Sequence, residues 1–206
     1  MLIEFAVAAL VTLAVVVDPL GLVPTFLAVT HGLPERSRRQ VALRACLIAA
    51  AILAGSALIG DWLLRTLSIT LPAFRIAGGL LLFSIASEMV FGVRTARQTT
   101  TAEQAIDEHV RNIAAFPLAI PLMAGPGAIT ATVLLAGRGD GVAHLAILLA
   151  VVAIVILACL AVFAGAAKIS KWLGITANTV LSRLLGVLLA ALAVQFVVDG
   201  VRAVMG

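Results

Sequence analysis

Leu145–Val162, which reads LAILLAVVAIVILACLAV, contains 18 consecutive residues without a charge. A half-buried strand alternates apolar and polar residues, and a surface helix keeps a polar stripe; this stretch is apolar on every face. As a helix rising about 1.5 Å per residue it covers most of a hydrocarbon layer about 30 Å thick, so it reads as a membrane-spanning helix. Five further apolar segments lie around it, giving six in all: 2–30, 41–64, 72–92, 113–136, 142–167 and 179–204. None has the alternating pattern, about 10 residues long, of a barrel strand, so the expected fold class is all-α with six transmembrane helices.

Composition agrees. The 206 residues are 63% hydrophobic and 12% charged, with a mean hydropathy of +1.19. A soluble domain carries roughly a quarter charged residues. The first stretch carries Glu4 where a signal peptide has a basic region, and it runs into Val17-Asp18-Pro19 without a small-residue cleavage site, so it reads as the first membrane helix. The net charge of +4 does not indicate nucleic acid, because the basic residues stand in short loops beside apolar spans. Cys46 and Cys159 both fall inside apolar helices and say nothing about redox compartment. His31, His109 and His144 lie at loop edges without metal-site spacing, and no metal or other cofactor is expected.

Lysine and arginine set the orientation. With six crossings, one side holds Arg36, Arg38, Arg39, Arg44, Arg94, Arg97, Arg111, Lys168, Lys171 and Arg183, and the other holds Arg65, Arg75, Arg138 and Arg202. This asymmetry predicts a multi-pass protein of the cytoplasmic (inner) membrane with both termini outside.

Arg75-x-x-Gly78-x-Leu80-Leu81 reappears as Arg183-x-x-Gly186-x-Leu188-Leu189, a shift of 183 − 75 = 108 that also carries Gly92 onto Gly200. At 126 − 19 = 107, Pro19 falls on Pro126. The chain therefore reads as a single transmembrane domain, 1–206, made of repeat one at 1–95, a connector at 96–112 and repeat two at 113–206. Within the connector, Thr100-Thr101-Ala102-Glu103 has capping-box spacing. Three crossings per half is an odd number, so the second half enters from the opposite side and the repeats are inverted, an architecture suited to alternating access.

The residues that break the helices carry the chemistry. Asp18-Pro19-Leu20-Gly21-Leu22-Val23-Pro24 interrupts segment 1, because each proline lacks an N–H and obstructs the preceding turn. Fifteen residues of helix place Asp18 roughly 20 Å along it, where free backbone groups must face protein or a watery cavity. Pro117, Pro121 and Ala124-Gly125-Pro126-Gly127-Ala128-Ile129-Thr130 repeat the device in segment 4. The half-helix after each break presents N–H groups and a positive dipole end suited to a carboxylate; carbonyls before it suit an ammonium. The expected substrate-binding residues are Asp18, Pro19, Gly21, Thr25, Gly125, Pro126, Gly127 and Thr130. Asp18 is the proton-coupling candidate, since an ionisable group inside a membrane is costly; it also suits the N-cap of the following half-helix. Arg75, Glu88, Arg183 and Gln195 are weaker gating or path candidates, beside Asp199, Ser84 and Ser87. Arginines at these positions also snorkel to the interface, and the polar residues also join helices.

These blocks, together with Arg75-Ile76-Ala77-Gly78-Gly79, Pro117 through Thr130, and Leu181-Ser182-Arg183-Leu184-Leu185-Gly186, resemble the MarC family of bacterial inner-membrane proteins, grouped with the neutral amino-acid transporters. The resemblance covers nearly the whole chain. It implies a six-span membrane protein, with transport of small neutral amino acids such as glycine and alanine attributed to some members.

The expected function is thus secondary transport of a small neutral amino acid by alternating access, with proton coupling, the partners being that substrate and the lipid bilayer. No G-x-x-x-x-G-K-[ST] sequence is present for nucleotide use. A channel or non-transporting scaffold is the alternative, since broken helices also line pores. Gly137-Arg138-Gly139-Asp140 resembles the motif of intramembrane aspartyl proteases, but it sits in a tight polar turn and the chain has no Tyr. That chemistry also needs two carboxylates in one site, so no enzyme is expected.

Overall fold

Proline and glycine decide where the helices end. In the computed structural model, which describes residues 2–93, 114–138 and 141–205, α1 (Leu2–Val17) stops just before Asp18-Pro19, and α2 (Val23–Val29) resumes with Pro24 in its first turn. Pro34 precedes α3 (Glu35–Thr66), whose first turn holds Glu35 at the positive dipole end. The Thr70 side chain accepts a hydrogen bond from the Ala73 N–H at 3.3 Å and starts α4 (Leu71–Phe91), which Gly92 ends at φ 76°. The second half holds α5 (Ala114–Met123), α6 (Pro126–Ala136), α7 (Val142–Ala164) and α8 (Ala166–Met205).

The surface of the bundle is apolar. Ile3, Leu47, Trp62, Leu80, Phe91, Leu157 and Val187 are all exposed, spread over α1, α3, α4, α7 and α8. Water does not tolerate patches of that extent, whereas lipid tails do. α3, α4, α7 and the Thr179–Met205 part of α8 are each long and apolar enough to cross a membrane; α1 and α6 are apolar but shorter. The protein is an all-helical integral membrane protein, with no strand among the described residues. The expectation of six membrane helices thus resolves into four helices of membrane length and two interrupted segments, α1–α2 and α5–α6.

Two local expectations change. The polar stretch between segments 5 and 6 is helical: Gly165 ends α7, and its carbonyl accepts from the Lys168 and Ile169 N–H groups at 2.9 Å to start α8 at once. α8 therefore runs for 40 residues. α5 is wound as a π-helix of 10 residues, an unusual length for a geometry that normally appears as a single turn. The connector at 96–112, with its capping-box sequence, lies outside the described residues, as do His109 and Asp140.

Glycines bring α4 and α8 into close contact. A Cβ on Gly79 would stand 2.7 Å from the Ala193 carbonyl oxygen, one on Gly186 2.9 Å from Met89 Cβ, and one on Gly200 2.9 Å from the Pro72 carbonyl oxygen. These contacts run in opposite senses along the two helices, so α4 and α8 are antiparallel, with Arg75 level with Asp199 and Arg183 level with Phe91. Elsewhere α3 packs on α7, α1 on α7, α5 on α3, α6 on α4 and α2 on α8.

Candidate functional site

Asp18 closes the first break with its own side chain. Its N–H donates to Ala14 at 3.0 Å as the last rung of α1, and its Oδ1 then accepts the Gly21 N–H at 3.0 Å. It adopts φ 52°, a left-handed conformation that Asp tolerates better than most residues. A Cβ on Gly21 would collide with the Asp18 carboxylate, so the turn needs glycine there. The carboxylate that caps the turn is itself only 5% exposed. Thr25, on α2, is buried; Pro19 and Gly21 are half-buried.

The second break is made by the backbone. The Ala124 N–H donates to the Ala119 carbonyl at 2.9 Å, five residues back, after Pro117 and Pro121 have removed two donors from the same stretch. Gly125 is extended and no side chain caps α6, whose first residue is Pro126. Glycine at the N-cap thus supplies no side-chain acceptor to the N–H groups that a helix leaves unpaired in its first turn. Gly125, Gly127 and Thr130 are buried, and Pro126 is exposed.

The two breaks face one another. A Cβ on Gly127 would collide with Ile85, and it would lie 3.4 Å from Leu82 Cδ2 and 3.5 Å from Val16 Cγ1. Val16 is in the last turn of α1, and Leu82 and Ile85 occupy the middle of α4. Thr130, one turn further along α6, packs against Gly78. Asp18 thus shares the centre of the bundle with the start of α6, which packs closely against Val16, Leu82 and Ile85.

The depth of the first break follows from α7. Phe5 meets His144 edge-on with centroids 5.1 Å apart at the start of α7, and Phe26 stacks on Phe163 at 4.5 Å near its end. Asp18 falls between Phe5 and Phe26 in the interrupted segment, and so between these two contacts. The interrupted segment runs parallel to α7 from one end to the other.

The weaker candidates separate. Arg75 and Arg183 stand at opposite ends of the α4–α8 pair and do not meet. Gln195 Nε2 donates to Asp199 Oδ1 at 2.7 Å, and Arg138 Nη2 pairs with Asp199 Oδ2 at 3.4 Å. The Arg138 guanidinium lies 4.5 Å over the Phe196 ring. Burial holds this guanidinium below its ordinary pKa, Asp199 opposes that shift, and the charge of Arg75 adds to it. The Arg75 Nε is buried with no hydrogen-bond partner. Glu88 is half-buried, Ser84 is exposed, and the Ser87 hydroxyl donates to the Phe83 carbonyl within its own helix at 2.9 Å. Arg138 is the residue whose role sequence reasoning missed. It stood in the sequence as a loop charge, and the i, i+4 spacing of Gln195 and Asp199 was the one local signal of the cluster it joins. A separate surface hollow, at the α3–α4 turn, is lined by Asp61 and Arg65, which pair at 2.8 Å, with Ser68 and Thr70. Among the described residues no group of three or more His, Cys, Asp or Glu could hold a metal ion.

Residues 3–205 match the model of the MarC family integral membrane proteins. The chain is 35% identical over 206 residues to a UPF0056 membrane protein of Methanocaldococcus jannaschii, covering 98% of each. It is 34% identical over 188 residues to the UPF0056 membrane protein YhcE of Escherichia coli, covering 91% of this chain and 87% of YhcE. A UPF0056 membrane protein of Archaeoglobus fulgidus is 36% identical over 199 residues, covering 96% of this chain and 92% of that protein. No solved structure matches the chain.

Proposed function

We propose a function for this chain, which belongs to the MarC family of integral membrane proteins: it is a secondary transporter of small neutral amino acids in the cytoplasmic membrane, working by alternating access with Asp18 as the proton-coupling group. The observation that carries this reading is the meeting of the two breaks at the middle of α4, with a buried carboxylate beside them. Free backbone groups and an ionisable side chain at that depth are costly unless they face a ligand or water.

The chemistry of the centre suits a zwitterion. The uncapped start of α6 offers N–H donors and a positive dipole end to a carboxylate, and carbonyls of the interrupted stretches face an ammonium. The close packing around Gly127 and Gly78 favours a substrate with a very small side chain, such as glycine or alanine. Protonation of Asp18 makes the empty carrier less costly to reorient, which ties substrate movement to a proton.

The packing supports inverted repeats. Exchanging α1–α4 with α5–α8 turns α1 on α7 into α5 on α3, and α6 on α4 into α2 on α8, and maps α3 on α7 and α4 on α8 to themselves, while the α3–α6 contact has only a slight counterpart in α2 on α7. The antiparallel α4–α8 pair is what a two-fold axis in the membrane plane would generate. The full-length run of α1–α2 beside α7 supports a crossing rather than a re-entrant segment.

The test is uptake of labelled glycine and alanine into proteoliposomes containing the purified protein, with and without an imposed pH gradient. Saturable uptake stimulated by the gradient and lost in Asp18→Asn is the expected result. Uptake that the gradient does not stimulate removes the coupling role. No uptake of either amino acid by folded protein removes the substrate assignment, and flux that never saturates favours a channel.

A further inference from the structure

The Arg138–Asp199 contact lies within the second half, at the end of the bundle that Arg75 of the first half also occupies. Arg138 follows the last turn of α6, and Asp199 and Gln195 belong to α8, so their 3.4 Å and 2.7 Å contacts tie the end of the broken segment to the helix beside it. Leu134, one turn before Arg138, is fully buried against Gly78 and lies between this tie and the break at Gly127. The 108-residue shift that superposes Arg75 on Arg183 puts Phe91 where Asp199 stands and Ser87 where Gln195 stands. Phe91 is 76% exposed, and the Ser87 hydroxyl bonds its own helix. The other end therefore has no equivalent of this tie at the repeat-related positions.

Arg75 supplies the second half of the argument. It is level with Asp199 across the α4–α8 contact, its Nε is buried without a partner, and its charge acts on Arg138. One carboxylate thus has two guanidiniums near its level, that of Arg138 in contact with it and that of Arg75 on α4. An element with two discrete pairings is what a conformational switch requires.

We propose that Asp199 is the shared anion of a two-position lock: paired with Arg138 it closes the path from the central breaks to the face that bears Arg75, and it passes to Arg75 when α6 swings away to open that face. Gln195 holds the carboxylate in reach of both, and the Phe196 ring seats the Arg138 guanidinium while the lock is shut. This inference rests on the alternating-access reading, and it makes no use of the substrate's identity.

The experiment uses the full chain with Cys46 and Cys159 replaced by alanine and a single reporter, Leu134→Cys, labelled by a membrane-impermeant thiol reagent in sealed vesicles of each orientation. Arg138→Gln should raise the labelling rate from the Arg75 face about two- to five-fold, the range for a partly exposed pair, and Asp199→Asn, which removes the ion pair from both states, should change it less. Arg75→Gln should lower it, because the open state loses its ion pair and the closed state loses a repulsion. Arg138→Lys should restore most of the closure, and size-exclusion profiles report whether each variant is folded. A merely structural arginine cluster would move Arg75→Gln and Arg138→Gln in the same direction, and that result, or labelling that does not change, overturns the lock. Amino-acid uptake measured in parallel separates the two proposals. Predicted labelling signs without uptake would remove the substrate and keep the lock; uptake with unchanged labelling would do the reverse.

Discussion

Under the proposed function Asp18 has two tasks for one carboxylate, and two substitutions separate them. In Asp18→Asn the amide oxygen still accepts the Gly21 N–H, so the thermal midpoint of purified protein should stay close to that of the parent while gradient-driven uptake is lost. Asp18→Ala removes the acceptor as well, and its stability should fall by about 0.5–2 kcal/mol, the usual cost of a lost cap. A midpoint equally low in both variants would show that the charge itself holds the turn. Gly21→Ala probes the same turn from the other side: its methyl group collides with the Asp18 carboxylate, and moving that group should cut uptake strongly. At this scale the sequence was informative, because Asp-Pro-x-Gly in an apolar helix leaves the backbone few ways to satisfy itself. Arg138 was not legible, since its partners lie 61 positions away and only the α4–α8 register brings Arg75 to the same level.

Among the elements, the α4–α8 contact makes the sharpest demand on side-chain size. A Cβ at Gly79 would approach a backbone oxygen to 2.7 Å, and backbone cannot step aside as a side-chain tip can. Gly79→Ala should therefore force the helices apart and lower stability by about 1–3 kcal/mol, the usual cost of overpacking. Gly55→Ala is the matched control, because nothing lies within 4 Å of its Cβ. Helix propensity alone should leave it neutral or raise stability by up to about 1 kcal/mol. Equal midpoints for the two variants would contradict the register. The repeated Arg-x-x-Gly pattern suggested a correspondence between these helices and gave no sign that they touch. The π winding of α5 was not readable: its prolines announce a break, while the choice of the carbonyl five residues back depends on how the freed groups pack against α3. The joining of the last polar stretch into α8 escaped for a similar reason, since Gly165 can end a helix in a loop or start the next helix at once.

At the scale of the whole molecule, the membrane class was plain from the sequence because 63% hydrophobic residues leave no other solvent. The number of crossings was not, because hydropathy counts apolar residues and does not say whether a broken helix continues or turns back. The side-by-side run of α1–α2 and α7 predicts that cysteines at Ile3 and Glu35 react with an impermeant reagent from opposite faces of sealed vesicles; reaction from one face would mean a re-entrant segment. The central claim is that the two breaks form one site that opens to each face in turn. Its most direct test is the reactivity of Thr25→Cys and Thr130→Cys, each in a chain with Cys46 and Cys159 replaced by alanine, from both faces with and without glycine or alanine. The account predicts that each cysteine is reachable from both faces and that the amino acid protects both. Reactivity confined to opposite faces, Thr25→Cys from one and Thr130→Cys from the other, with no protection by either amino acid, would contradict it.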